Sequence, residues 1–251
     1  MGAEGKMSGK GSKYEELVKS SEKTSTVKKM FSDIAPRYDL MNRILSLGRD
    51  LSWRRVAVRD ADFDTDDVIL DLGAGTGDVA REIIRSGKYK KIYGMDICED
   101  LILHGRKKSE FQESNEALLW ILGDGRYLPF VSDSLDGIIA GFSVRNMANL
   151  SGVFSEIRRT LKPGGKLRIL DMVQPGKGLF RWIFRMHFRY IVPVLGRLMG
   201  SEPGAYEYLL PSIENFHSAE SLKTTFIDMG FKKVRVRKFM FNTVALLECE
   251  R

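Results

Sequence analysis

Three short apolar runs, each delivering an aspartate at or just past its end, constrain this chain more than any other feature. Val68-Ile69-Leu70-Asp71-Leu72 leads into Gly73-Ala74-Gly75-Thr76-Gly77. Lys91-Ile92-Tyr93-Gly94-Met95-Asp96 closes on an acid, and Leu118–Leu122 is followed at once by Gly123-Asp124-Gly125. Helical stretches stand between them, Asp78–Arg85 stopping near Gly87, and Glu99–Lys108. The alternation continues with a strand at Gly137–Ala140, a helix over Asn149–Leu161 closed by Lys162-Pro163-Gly164-Gly165, and a strand over Lys166–Met172. Short apolar strands separated by helices predict βαβ units and a parallel sheet covered on both faces. Right-handed crossovers then wind it doubly. Near the C-terminus, Phe231–Phe239 and Phe241–Cys249 are β-type runs with almost nothing between them. They predict a hairpin and a closing antiparallel strand. The expected fold class is α/β, doubly wound and mostly parallel, with helices on both faces.

A chain of 251 residues buries a sizeable core as one domain. Residues 1–24 are rich in Gly, Lys, Ser and Glu and are expected to be a flexible tail, with residues 25–251 forming the domain. A helical region is expected from about Thr26 to Arg59. Cys98 and Cys249 lack metal-ligand spacing and make no disulfide framework. The sequence shows neither a signal-peptide core nor an uninterrupted apolar run of ~20 residues, so the expectation is a cytoplasmic protein. Lys and Arg exceed Asp and Glu by 40 to 33, a net +7 that favours anionic partners without choosing among nucleic acid, acidic lipid and small molecules.

The glycine cluster lies after the first strand and opens a helix. Glycine there permits positive φ and lets a ligand approach the backbone. Gly75-Thr76-Gly77-Asp78-Val79-Ala80 also fits the dinucleotide pattern G-x-G-x-x-A. Asp71, directly before the glycines, favours a cationic ligand group over a pyrophosphate. Asp96 stands where a carboxylate accepts from both hydroxyls of a ribose. Each of three successive strands thus brings a carboxylate to the end of the sheet where ligands bind.

These residues resemble the class I S-adenosylmethionine-dependent methyltransferases. Asp71–Gly77 is similar to their first motif, Asp96 to their ribose-binding acid, Gly123-Asp124-Gly125 with Leu128-Pro129-Phe130 to their adenine-side loop, and Leu161-Lys162-Pro163-Gly164-Gly165 to the turn before their fifth strand. The resemblance implies a Rossmann-like, seven-stranded mixed sheet. More narrowly, three segments resemble the ubiquinone/menaquinone biosynthesis C-methyltransferases: Met30–Asn42 running on to Trp53-Arg54, Phe142-Ser143-Val144-Arg145-Asn146, and Tyr206–Phe216. The similarity covers about residue 27 to the end. The family commonly has His at Asp50, Ser at Gly141 and Ala at Gly125.

The resemblance implies S-adenosylmethionine as cofactor, held by Asp71, Gly73, Gly75, Thr76, Gly77, Asp96, Ile97, Asp124, Gly125, Tyr38, Gly141 and Ser143. It implies methyl transfer to a ring carbon of a prenylated quinol, with demethylmenaquinol preferred over a ubiquinone precursor. Residues 25–60 become a helical lid, containing Asp33 and Tyr38, with Asn42 either in it or a helix-terminal polar residue, and residues 172–217 a substrate-side helical insertion. An aromatic carbon becomes nucleophilic when an adjacent hydroxyl loses its proton, which calls for a base or a group that stabilises the phenolate. Arg145 is the candidate for the second role, with a structural salt bridge as its alternative. Tyr208 and His217 are candidates for ring contact or proton transfer, their alternatives being a core tyrosine and a surface histidine.

From Met172 to Ser201 there is no acid, while Arg181, Arg185 and Arg189 form an i, i+4, i+8 stripe among Phe180, Trp182, Ile183, Phe184, Met186, Phe188, Tyr190 and Ile191. The pattern suits a peripheral helix on an anionic membrane, at its inner face, where a polyprenyl quinol dissolves. A core-packed helix with a solvated arginine stripe is the alternative. The run Lys232–Lys238 and the net charge raise an RNA methyltransferase reading. No Asn-Pro-Pro-Tyr motif and no Pro-Cys dipeptide supports it, and no nucleic-acid partner is expected. A non-catalytic cofactor-binding subunit shares the same glycine loop.

Overall fold

The strands and helices alternate through the middle of the chain as β1 (Val68–Leu72), α4 (Asp78–Ser86), β2 (Lys91–Asp96), α5 (Glu99–Arg106), β3 (Leu118–Leu122), β4 (Leu135–Gly141), α6 (Leu150–Thr160) and β5 (Leu161–Met172). Before them come α1 (Lys23–Ile34), α2 (Tyr38–Ser46) and α3 (Arg49–Arg59). After them come α7 (Leu179–Met186), α8 (Pro203–Glu214), α9 (Ala219–Asp228), β6 (Lys232–Phe239) and β7 (Val244–Glu250). This computed structural model describes residues 22–87, 91–108, 111, 118–176, 179–192, 194 and 203–251. The tail expected over residues 1–24 lies outside them up to residue 21.

The seven strands form one sheet in the order β3-β2-β1-β4-β5-β7-β6. Pairs among β1 to β5 are parallel, and β7 runs antiparallel to both β5 and β6. The strand order reverses between β1 and β4, the switch point beyond which open α/β sheets bind ligands.

Side chains of β1 alternate between two cores. Ile69, with Ile92 and Ile139, packs against Val79 and Ile83 of α4 and Val58 of α3. Leu70, with Ile138 and Leu167, packs against Phe154 and Ile157 of α6 and Leu222 and Phe226 of α9. Each such side chain, fully buried, stabilises the fold by ~1.5–3 kcal/mol. Burial on both faces explains why the strands read as continuous apolar runs.

Three local expectations change. The helical region is three helices: Pro36 interrupts it after α1, and Leu47 and Gly48, both at positive φ, break it between α2 and α3. Its first turn begins at Lys23, inside the expected tail, because Lys23 is buried against the body of the protein. Lys162–Gly165 is carried inside β5 rather than standing before it. Leu135 pairs with Leu161 and Gly137 with Lys166, so a register shift absorbs the extra residues as a bulge.

The helices outside the alternating core meet one another. Ile34 and Met41 pack with Phe184, Phe188, Val192 and Ile213, roofing the carboxyl end of the sheet. Arg43 of α2 pairs with Asp78 at 2.7 Å, and Asp39 accepts from Thr76 Oγ1 at 2.5 Å and pairs with Lys108 at 2.7 Å. The roof is thereby tied to the loop that follows β1.

Candidate active site

Two cavities adjoin beneath this roof. The first, open to solvent, takes in about 660 Å³ between the ends of β1, β2 and β4 and the helices α1 and α2. Gly73, Gly75, Asp96, Ile97, Asp124, Gly125, Ser143 and Tyr38 of the expected cofactor set line it. The second, also open to solvent, takes in about 820 Å³ and is walled mainly by apolar side chains of α1 to α3, together with Arg145, Met172, Tyr208, Leu209 and Met240. Phe31, Tyr38, Phe142 and Asn146 belong to both and form the partition between them.

The polar end of the first cavity is built by backbone donors. Gly75 N donates to Asp96 Oδ2 and Cys98 N to Oδ1, each at 2.8 Å, so the carboxylate is fixed in orientation. Burial raises the Asp96 pKa against the lowering effect of these N–H groups. At Asp124 burial also pushes upward, but the side chain and backbone of Arg126 outweigh it, so the carboxyl lies below its usual range. Arg126 Nη2 donates to Asp124 Oδ2 at 2.6 Å. Gly73 sits at φ +72, and a Cβ there would lie 2.2 Å from the Ser143 Cβ, so both conformation and space demand glycine. Ser143 Oγ in turn donates to Leu72 O at 2.7 Å, closing the gap between β1 and β4.

Four residues of the expected cofactor set stand behind the cavity. Asp71 is fully buried beneath it, with Oδ2 accepting from Ala80 N at 2.9 Å and Oδ1 without a partner. It anchors the first turn of α4 instead of facing a cationic ligand group. Burial raises its pKa to about 7, against the Ala80 N–H and Arg54 that lower it. Thr76 holds Asp39 of the roof. A Cβ on Gly77 would meet the Phe111 and Trp120 rings at 2.7–2.8 Å, and one on Gly141 would meet Val79 at 2.6 Å. These glycines admit close packing rather than ligand. Leu128 and Phe130 of the expected adenine-side loop likewise turn inward, Phe130 meeting Tyr93 edge-on with centroids 4.9 Å apart.

In the second cavity Arg145 is buried and paired with Asp171, Nη1 to Oδ1 at 2.5 Å, while its Nε donates to Ser212 Oγ at 3.0 Å. Tyr208 is buried with its hydroxyl unpartnered. Burial pushes that phenol up to about 12, only partly opposed by Arg145. His217 lines neither cavity. It sits before α9, its Nδ1 2.9 Å from Ser221 Oγ, and is separated from the ring pocket. Asp33 is exposed and lines neither cavity.

Of the partition, the sequence singled out only Tyr38 as a site residue. Phe142 has φ 63, an outlier for a bulky side chain, and is held there by Trp53 and by the Arg54 guanidinium 4.8 Å from its ring centroid. Nothing in an aromatic residue's identity signals a left-handed backbone. Lys23 was also missed: its Nζ donates to Arg145 O and Met147 O, both at 2.9 Å, fastening α1 to the turn that carries Asn146.

The chain matches the ubiE/COQ5 methyltransferase family over residues 18–249. The chain belongs to that family. Among its relatives is the ubiquinone/menaquinone biosynthesis C-methyltransferase UbiE of Desulfotalea psychrophila, 36% identical over 88% of each chain. Another is the demethylmenaquinone methyltransferase of Thermus thermophilus, 37% identical over 86% of this chain and 97% of its own. The fold is also that of a SAM-dependent methyltransferase from Aquifex aeolicus, with a TM-score of 0.57 at 16% identity over 90% of this chain and 97% of the other. As a member of the family the protein is a methyltransferase that uses S-adenosylmethionine. The first cavity fits that cofactor: Asp96 offers fixed acceptors for a ribose, Asp124 and Gly125 line it, and the Gly73 and Gly75 backbone borders it where the amino-acid portion would lie. Among the described residues no helix is long and apolar enough to cross a membrane.

Proposed function

We propose that the protein methylates a ring carbon of a prenylated quinol, most readily demethylmenaquinol, with the equivalent ubiquinone precursor as the second acceptor. The observation that carries this reading is the apolar second cavity, which meets the cofactor cavity at a partition of only four side chains. Bound S-adenosylmethionine supplies an electrophilic methyl group. The chain's task is alignment, which by itself can lower a barrier by ~7–11 kcal/mol. Phe31, Tyr38, Phe142 and Asn146 frame the passage through which donor and acceptor meet. Arg145, immobilised by Asp171 and Ser212, keeps a guanidinium at the wall of the ring cavity to favour the phenolate. Tyr208, whose raised pKa keeps it protonated, acts as a hydrogen-bond donor to a ring oxygen rather than as a base. The apolar walls exclude water and accept the start of the prenyl chain.

The same reading places the enzyme against an anionic membrane, where such a quinol resides. Trp182, Met186, Tyr190 and Val194 recur every four residues and are exposed, while Phe184, Phe188 and Val192 face the core beside the second cavity. Arg181, Arg185 and Arg189 are exposed beside them, Arg185 pairing with Glu214 at 3.0 Å. Lys177 and Arg197 lie outside the described residues. Aromatic and basic side chains on one face suit lipid headgroups. Flotation with anionic and neutral liposomes tests this, and binding that ignores lipid charge refutes it.

The test of function is methyl transfer from radiolabelled S-adenosylmethionine to reduced demethylmenaquinol, a demethoxy-ubiquinol precursor and bulk RNA in parallel. Label in a quinol supports the reading and names the ring. Label in RNA alone, or in none of the three despite tight cofactor binding, refutes it.

A further inference from the structure

Three residues that line the second cavity each carry a buried polar atom without a protein partner: Asn42 Nδ2, Asn146 Oδ1 and the Tyr208 hydroxyl. Ser46, Asp50 and Arg145 of the same lining are committed to protein partners. Ser46 donates to Asp50, Asp50 also accepts from Arg54 and Arg43, and Arg145 serves Asp171 and Ser212. Buried polar groups are nearly always paired, so atoms left over in a pocket describe the ligand that completes them.

The three differ in what they require. An amide N–H donates, and Asn42 Nδ2 is completed by any oxygen. It stands one turn from Tyr38 and lowers that phenol's pKa, but meets it outside hydrogen-bond geometry. The Tyr208 hydroxyl both donates and accepts. Asn146 Oδ1 only accepts. Its amide orientation is set by Nδ2, which donates to Phe142 O at 3.5 Å and leaves Oδ1 without a partner. Asn146 is only 8% exposed, so solvent does not satisfy it. A quinol ring carries O–H donors, whereas the corresponding quinone carries acceptors only. Either redox state completes Asn42 and Tyr208, and only the reduced state completes Asn146.

We infer that Asn146 makes this pocket selective for the reduced ring, accepting a hydrogen bond from the hydroxyl that keeps its proton and leaving an unsatisfied buried acceptor when the quinone binds. The inference rests on the quinol assignment and adds a device to it. Oxidised and reduced rings have the same outline, so shape does little to separate them. The quinone is also unreactive toward an electrophilic methyl group, so a pocket open to both would be occupied by a ligand that cannot turn over.

Anaerobic titration of the full chain, loaded with S-adenosylhomocysteine to prevent turnover, with 2-prenyl-1,4-naphthoquinol and separately with its quinone, gives both dissociation constants. The expected result is quinol binding at least about tenfold tighter than quinone binding, the scale set by one unpaired buried acceptor. In Asn146→Leu the quinol weakens and the ratio falls below about threefold. In Asn146→Asp, which keeps an acceptor in the same volume, the preference persists. A wild-type ratio near one overturns the inference without recourse to any variant, as does an Asn146→Leu protein, folded by its melting curve, in which both ligands weaken equally. Binding of neither ring overturns the acceptor assignment as well.

Discussion

Replacing Arg145 by Met separates the electrostatic cost of its ion pair from any part it takes in turnover. Arg145 and Asp171 are both buried, 6% and 1% exposed, so removing the guanidinium strands a carboxylate away from water. Breaking a buried pair from one side costs ~3–5 kcal/mol. Asp171 keeps two backbone donors, Arg145 N at 2.9 Å and Met172 N at 2.8 Å, which places the expected loss at the lower end, about 3 kcal/mol. For a chain of this length about 2 °C of melting temperature accompanies each kcal/mol, so the midpoint drops by roughly 6 °C. Burial already raises the Asp171 pKa against the lowering effect of Arg145, and losing the guanidinium raises it further. A carboxyl with a raised folded pKa binds protons more tightly folded than unfolded, so the variant's deficit shrinks as pH falls and grows as pH rises. Adding Asp171→Asn removes the stranded charge while keeping an acceptor, and restores at least half of the loss. Calorimetry of the wild type, both single variants and the double variant at two pH values closes the cycle. A drop below about 2 °C, or a double variant no more stable than Arg145→Met, refutes the account of a desolvated pair. Turnover in the double variant then reports on Arg145 itself: restored stability without restored activity ties the guanidinium to the reacting ring.

Gly73→Ala places a methyl group inside the contact with Ser143 at a left-handed backbone position, and is expected to weaken S-adenosylhomocysteine binding more than tenfold in a calorimetric titration. Lys23, 7% exposed, has its pKa lowered by burial from 10.5 to about 8. Its unfolded form therefore binds more protons between those values, so wild-type stability rises with pH across that window by up to about 3 kcal/mol relative to Lys23→Met, as read from denaturation midpoints. His217→Ala is expected to change kcat/KM less than twofold, because the imidazole lines neither cavity; a loss above tenfold refutes this placement.

The alternating core was legible because period and burial leave marks on sequence. The bounds of β1 and β2 follow from runs largely buried on both faces, those of β3 from its apolar composition alone, and the reversal at β7 follows from two β-type runs without a crossover between them. The cofactor cavity was legible as a set but not residue by residue. A glycine motif records that side chains are excluded, not by what. Gly73 and Gly75 border the cavity, while Gly77 and Gly141 make room for Phe111, Trp120 and Val79. Asp71 has the identity of a ligand-binding acid and the environment of a helix anchor. The ring pocket was the least legible part, since its walls come from α1 to α3, α8 and the turn after β4, brought together only by packing. Asn42 and Asn146 carry no spacing signal, and what distinguishes them, the lack of a partner, exists only in three dimensions.

The partition of Phe31, Tyr38, Phe142 and Asn146 also divides the molecule by the freedom of its parts to vary. On one side stands a nucleotide seat made from strand ends and backbone groups, where an exchanged side chain disturbs the sheet itself. On the other stands a chamber whose walls from α1, α2 and α8 the sheet does not need in order to close. Mutational drift, or a directed library confined to Met30, Ile34, Met41, Leu45 and Leu209, which line the chamber and not the seat, therefore alters which ring is accepted while the methyl supply stays intact. New acceptors are reached by redecorating the chamber, not by rebuilding the seat.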